Sequence, residues 1–565
     1  MTIPVTAPSW RPVSAEEQSL WLLERCVPGT GVNNIAFVLR FDGRVAPDVL
    51  VEAVTHVVNR HRALHTRYRA DGAGLVGAAV PVTMDEIDLV ELPGGVADPF
   101  SDFVRRPFEL DGEVLVRLAR TTVSTVDTVA VVVHHLVFDA TSVLSFCSEL
   151  AAAYTAILRD GYVEAVDEPP VAVAVTEETG FWQQYLGGLD PCGLRLDLES
   201  PSDSDITLAG AELAHELSPA AVTAVRELSR RLRAPEASVL LAAFCLLLAR
   251  HGASSDLVVG CPISTRDRAA ATAVGFHVNV LPMRVQVSRE TGFAELTRRV
   301  RRTFFDVMMH NGRGAESRLP RLEGAESPWR NPIFRHVFNY VPVPEVRALR
   351  FGDREAHQEH LPVPFSKFDI EYLVIALPEG LMLRTVYSTE LHRAQDVAAM
   401  LARYEALLVA VAEDSDCPLW MVPMLTVGDL AVLDQATVTV VDDFGAELPP
   451  GVWGADAITG ERIRLDHDGS INRPVAAAPS LPTQPVDGVL VDALVAVWSQ
   501  VLMRSDVDAE SDFFALGGNS LLGAKLAQTI EEETGVSVTL AEVFEHPAPA
   551  RLVAHLTALA DGRVR

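Results

Sequence analysis

Apolar residues recur along this chain with two different periods. Residues 34–41 read as a strand, and residues 47–59 place Leu50, Val51, Val54, Val57 and Val58 at helical spacing. Residues 128–133 form an unbroken apolar run ending in two histidines, the pattern of a strand covered on both faces. A helical pattern follows over 141–158. Beyond a charged, proline-bearing break at 166–170, the alternation repeats. It predicts helices near 218–231, 236–251, 292–309 and 393–412, and strands near 257–261, 276–287, 332–340, 370–376 and 381–388. Such alternation is α/β sequence in two lobes of comparable size, 1–172 and 173–425.

The texture changes near residue 426. Short strand-and-turn patterns at 438–443 and 454–471 predict a small β-rich unit over 426–475. An Ala/Pro-rich linker spans 476–485, and residues 486–562 read as an all-helical module. No internal repeat is visible. A length of 565 residues is too great for one core and fits this division.

Composition narrows the function classes. A formal charge of −29 opposes nucleic acid or an anionic membrane as partner, because both demand basic patches. The first residues lack the basic and apolar regions of a signal peptide, and no apolar run reaches bilayer length. The expected location is cytoplasmic. The six cysteines are scattered without a CxxC pair, which predicts reduced thiols rather than a disulfide or zinc framework.

The densest chemistry is His134-His135-Leu136-Val137-Phe138-Asp139-Ala140. Neighbouring strand side chains point to opposite faces, so one histidine faces any given cavity and the other enters the fold. The same geometry makes the pair unsuited to chelating one metal ion. A neutral imidazole at a strand end suits proton handling near neutral pH.

This heptad resembles the HHxxxDG signature of the condensation domains of nonribosomal peptide synthetases, with Ala140 where the family has glycine. The likeness extends over residues 14 to about 425. Ser14 to Leu23 resembles the opening SxAQxRLWxL, and Arg60 to Tyr68 is similar to RHExLRTxF. Val274 to Arg284 resembles IGxFVNTxxxR. Pro328 to Tyr340 resembles SRNPLFQVMFNY, and His310-Asn311 falls where the family has a short HQD segment. Membership implies a two-lobed, chloramphenicol-acetyltransferase-like α/β fold with the active site in a tunnel between the lobes. It implies that His135 faces the tunnel, as general base or as a hydrogen-bonding group that positions the attacking amine. His134 would point into the fold, Asp139 would pair with Arg284, and Asn339 would contact the tunnel. A glycine needed for positive φ at position 140 would leave alanine strained; ordinary φ and ψ would not.

Asp512 to Leu522 resembles the DxFFxLGGxSL core of peptidyl carrier proteins, within a C-terminal four-helix bundle. A glycine turn that opens a helix at Ser520 presents free N–H groups to a phosphodiester. The resemblance implies 4′-phosphopantetheine on Ser520, added by a phosphopantetheinyl transferase. Between the two units, residues 437–454 and Thr459-Gly460-Glu461-Arg462 resemble a fragment of an adenylation domain, with Glu461 replacing an aspartate. No nucleotide-binding core accompanies it, so the acceptor would be loaded by an adenylation domain acting in trans. The implied reaction joins an acyl or peptidyl thioester from an upstream donor carrier to an aminoacyl group on Ser520. An ester-forming acyltransferase and a silent docking module are the alternatives.

Overall fold

The computed structural model describes residues 9–71, 74–163, 180–190, 192–198, 207–266, 270–311, 333, 335–342, 348–442, 445–473, 488–502, 504, 507–513, 520–534, 536, 538, 542–543 and 546–560. The strands of the first lobe are β1 (Arg11–Pro12), β2 (Asn34–Phe41), β3 (Thr66–Asp71), β4 (Gly74–Ala79), β5 (Leu89–Leu92), β6 (Val116–Val123) and β7 (Val126–His134). Those of the second half are β8 (Gly210–Glu216), β9 (Asp256–Ser264), β10 (Val278–Gln286), β11 (His336–Pro342), β12 (Leu349–Phe351), β13 (Arg354–His360), β14 (Ile370–Ala376) and β15 (Leu381–Ser388).

In the first lobe a six-stranded sheet has the order β12-β13-β2-β7-β6-β5. The apolar run of β7 lies at its centre, with Val129 to Val133 fully buried. The helix Ala140–Asp160 leaves the end of β7, packs beside the helix Pro47–Arg60, and closes on a left-handed Gly161. By length and mean hydropathy this helix could cross a bilayer, which the sequence pattern had not suggested. Here its apolar side, including Phe146, Leu150 and Tyr154, belongs to the lobe's core.

The second lobe carries a sheet of order β10-β9-β11-β14-β15-β8. Its helix Glu236–Ala249 has every residue from Ser238 onward buried, which explains why its sequence is apolar all round. One segment departs from the two-lobe boundary. Leu349–Phe351 and Arg354–His360 lie in the C-terminal half, yet β13 pairs with β2, Ala356 opposite Phe41 and His360 opposite Phe37. The exchange covers an edge that β2 would otherwise expose. Its residues are mostly polar, so periodicity did not mark it.

The 426–475 unit folds against the second lobe. Strands β16 (Val440–Val441), β17 (Trp453–Asp456), β18 (Arg462–Leu465) and β19 (Ile471–Asn472) form a four-stranded sheet. It is fastened to the second lobe through buried charge. The fully buried Arg464 donates to Asp396 at 2.7 and 2.8 Å and to Asp466 at 2.7 Å, and His467 reaches the same Asp396 at 2.9 Å. Arg403, also fully buried, donates to Asp429 and to the Pro450 carbonyl, each at 2.6 Å. Val452 lies inside the second lobe's core. In the C-terminal module, helices Gly488–Leu502, Ser520–Thr534 and Pro549–Ala560 enclose Trp498, Phe513, Ile530 and Leu552.

Removing one partner of a buried ion pair leaves an uncompensated charge. Asp396→Ala is therefore expected to lower the unfolding free energy of the condensation unit by about 3–5 kcal/mol. Chemical denaturation followed by tryptophan fluorescence checks this; a loss below about 1 kcal/mol, the range of a surface pair, would contradict the docked arrangement.

Candidate functional site

Strand β7 delivers His134 and His135 to the junction of the lobes, and a single 3-10 turn, His135–Val137, leads to Asp139. His134 is fully buried. Its Nδ1 accepts the Leu136 N–H at 3.1 Å, and its Nε2 donates to Glu24 at 2.6 Å. Glu24 also accepts from Asn33 at 3.0 Å, so His134 is tied into the fold.

His135 faces the second lobe. Its ring stands edge-on to Phe276, with centroids 5.2 Å apart. Part of the residue stays open, while Nδ1 is buried without a hydrogen-bond partner. Burial, then the positive charge of Lys367, lowers its pKa to about 3, with Asp139 opposing the change. The ring is therefore neutral across physiological pH.

Asp139 caps the helix Ala140–Asp160, accepting the Ser142 N–H at 2.9 Å. It is 2% exposed, and its pairing differs from the sequence expectation. The fork of Arg266, not Arg284, holds it, at 2.7 and 2.9 Å. The His277 N–H adds a bond at 3.0 Å. Burial by itself raises the carboxyl's pKa; Arg266 and the two backbone N–H groups more than offset this and hold it below the usual range. Ser142 completes the junction, its hydroxyl lying 3.1 Å from both the N and the O of Gly275. A Cβ on Gly275 would come within 2.7 Å of the His277 ring, which explains the glycine there.

Arg284 lies at the other end of β10, seven residues from His277 and so about 23 Å along the strand. It binds Asp256 with both arms of its fork, at 2.9 and 2.6 Å, and donates to the carbonyls of Tyr185 and Gly187. The resemblance had pointed to Arg284 because β10 carries it inside the matched motif, whereas Arg266 sits on the turn after β9. Asn339 is half-buried on β11, opposite Leu373 of β14. Strand alternation gives it the same sheet face as Glu371, a residue whose carboxyl also feels Lys367.

Lys367 went unnoticed in the sequence, although a signal existed. Only two of the chain's 47 basic residues are lysines, Lys367 and Lys525. Ala140 is the first residue of its helix, and it is absent from the residues with positive φ, so the backbone there needs no glycine. In the C-terminal module Ser520 opens the helix Ser520–Thr534. A serine at a helix start, where backbone N–H groups are free, fits a phosphodiester. The glycine turn before it, 514–519, lies outside the described residues, as do 328–332 of the other motif.

Comparison with known proteins now decides the family. The family model for the condensation domain matches residues 11–428. The chain belongs to the condensation-domain family. A second model, the phosphopantetheine attachment site, matches residues 492–556, so a carrier domain for covalent 4′-phosphopantetheine follows the condensation domain. One linear gramicidin synthase polypeptide of Brevibacillus parabrevis is 26% identical over 75% of this chain. Another polypeptide of the same synthase is 25% identical over 94% of it. The chain spans only 6% and 10% of those two relatives. Among solved structures, the first condensation domain of the calcium-dependent antibiotic synthetase superposes with a TM-score of 0.58 at 20% identity, covering 74% of this chain and 99% of that one. The X-domain from teicoplanin biosynthesis gives 0.61 at 20% identity, with the same coverages. Both establish the two-lobed fold. Condensation domains of this kind are acyltransferases that form amide bonds.

Two substitutions separate the arginines and test position 140. Arg266→Met strands a buried carboxylate and is expected to cost about 3–5 kcal/mol of stability at neutral pH. Asp139 contributes its stability above the ordinary carboxylate range and loses it as pH falls through its depressed pKa, so the cost should shrink in acid. Ala140→Gly should cost no more than about 1 kcal/mol, the helix-propensity difference, and should not stabilise the chain. Denaturant melts at pH 7 and pH 3 read both.

Proposed function

We propose that this chain forms an amide between an acyl or peptidyl thioester delivered by an upstream donor carrier and an aminoacyl group held on Ser520. The observation carrying this reading is the Asp139 clamp, which fixes the His135 turn against the second lobe within a didomain of condensation and carrier units. When attached, 4′-phosphopantetheine supplies the thiol that holds the acceptor as a thioester. The acceptor nitrogen attacks the donor carbonyl; a C–N bond forms, the C–S bond breaks, and the amine proton leaves with the donor thiol. A ring with a pKa of about 3 is a weak base but an adequate hydrogen-bond acceptor. His135 therefore acts by orienting the amine, with Asn339 contributing from the sheet face it shares with Glu371.

The acceptor is loaded in trans, by an adenylation domain on another polypeptide or elsewhere in a longer one, after a phosphopantetheinyl transferase has modified Ser520. The β16–β19 sheet is read as a remnant of such a domain. Glu461, at the position compared with a ribose-binding aspartate, is engaged by Arg473 at 2.8 Å and serves its own hairpin. The X-domain from teicoplanin biosynthesis, which has been solved in complex with OxyB, is the model for a docking-only reading. Ala140 lends that reading no support, since its backbone is ordinary helix.

The test charges Ser520 with an aminoacyl-pantetheine, supplies a donor carrier thioester, and follows the product by intact-protein mass spectrometry. His135→Ala is expected to lower the rate by about 10²-fold or more, with His135→Gln partly restoring it. Between pH 5 and 9 the rate should follow only the acceptor amine, near pKa 7–8, without an imidazole inflection. An inflection at pH 6–7 lost in His135→Gln would restore the general-base role; no product with any donor would favour docking.

A further inference from the structure

The helix Phe293–Met308 of this acidic protein carries four arginines, Arg298, Arg299, Arg301 and Arg302. Along the helix Phe293–Met308 and its C-cap Met309, Arg298, Arg302, Phe305 and Met309 recur at offsets of four, three and four, a single stripe along one face. Phe305 is 61% and Met309 78% exposed, so the stripe presents apolar surface beside its arginines. Arg233, Arg301, Arg298, Arg302 and Phe305 line a shallow cavity of about 470 Å³ at the N-terminal side of that stripe. Arg233 holds the left-handed conformation, φ 50°, at the end of its helix, and its carbonyl accepts from Arg301 at 2.7 Å. A non-glycine residue in that region costs about 1–2 kcal/mol, so the corner is held by its surroundings. Arg298 also pairs with Glu295 at 2.9 Å.

The stripe leads toward the lobe junction. Arg302 stands six residues, about 9 Å at helical rise, from the helix end at Met308, and Asn311 follows three residues on. The Asn311 side chain bonds Asn279 at 2.9 Å and the Ser264 carbonyl at 3.3 Å. Two residues beyond Ser264 is Arg266, the partner of Asp139.

We propose that this arginine–phenylalanine stripe is where the chain's own carrier module docks, the arginines taking the phosphodiester on Ser520 and Phe305 and Met309 guiding the arm toward the junction. This rests on the condensation reading above and deepens it. Charge chooses the occupant. Residues 486–562 hold twelve carboxylates against three basic residues, a formal charge of −9. Guanidinium forks suit a phosphodiester, and opposite potentials set orientation and encounter rate. Reach agrees: the β16–β19 sheet is anchored beside this helix by Arg289 to Asp442 at 3.1 Å. The fourteen residues 474–487 that follow it span at most about 50 Å.

The test uses the full-length chain with an alkylating pantetheine analogue attached at Ser520. With Phe305→Cys the arm should label the new cysteine intramolecularly, faster than Leu158→Cys, which stands 50% exposed on the first lobe; peptide mapping excludes the native cysteines. Arg298→Glu with Arg302→Glu should slow that labelling about tenfold, the difference fading as salt is raised. The same pair should leave reaction of a free aminoacyl-pantetheine acceptor unchanged. Equal labelling at 305 and 158, or no response to charge reversal, overturns the docking face. Labelling at 305 by a donor carrier added in trans but not by the tethered arm assigns the surface to the other carrier and also overturns it. Absence of amide product with every acceptor refutes the condensation reading alone, because labelling is read without turnover.

Discussion

A buried carboxylate is the constraint on which the lobe junction depends. Taking Asp139 out of water is unfavourable by several kcal/mol unless its lone pairs are filled. The chain fills them from three sources: its own helix start through Ser142, the Arg266 fork, and the His277 backbone. Two of the three come from the other lobe. The same bonds thus cap a helix, position the His135 turn and hold the lobes in register. Since Ser142 clasps Gly275 at the same point, His277 and Phe276 are brought against His135 as a consequence. The geometry around His135 is a by-product of satisfying one charge.

That solution also shapes the electrostatics of His135. Partial burial beside Phe276 disfavours a charged ring, and Lys367 adds a positive charge, so the imidazolium form is disfavoured from two directions. Asp139 could have acted as the counter-ion of a charged ring. Its commitment to Arg266 limits that role. A neutral histidine follows from the clamp rather than from any separate tuning device.

Much of this was legible in sequence because two periods of hydrophobicity do not mimic each other. The run of β7, the wholly apolar helix Glu236–Ala249 and the amphipathic helix Phe293–Met308 all appear where patterning places them. The split between His134 and His135 follows from strand alternation alone. What escaped depends on pairings distant in sequence. Asp139 and Arg266 are 127 residues apart, and nothing local distinguishes Arg266 from Arg284. Strand β13 is mostly polar because one of its faces meets solvent, so it joins β2 by backbone bonding without advertising itself. The docking of the β16–β19 unit was not legible because its anchors are arginines, a residue type expected outside; Arg403 and Arg464 are buried only because Asp429 and Asp396 await them.

Those anchors bear on how a carrier is delivered. A flexible tether starting from a loose spacer would spread its cargo over a large volume, and effective concentration falls as the accessible span grows. Docking the small sheet on the second lobe moves the tether's origin to a fixed place beside the basic helix. Reach is then spent near one surface, and a carrier with a charge of −9 meets the arginines repeatedly without needing tight binding. Weak contact is an advantage here, because an acceptor that must leave after each bond is formed cannot be held by a large apolar interface. A few exposed arginines and two apolar side chains, screened by ordinary salt, supply orientation while leaving release fast.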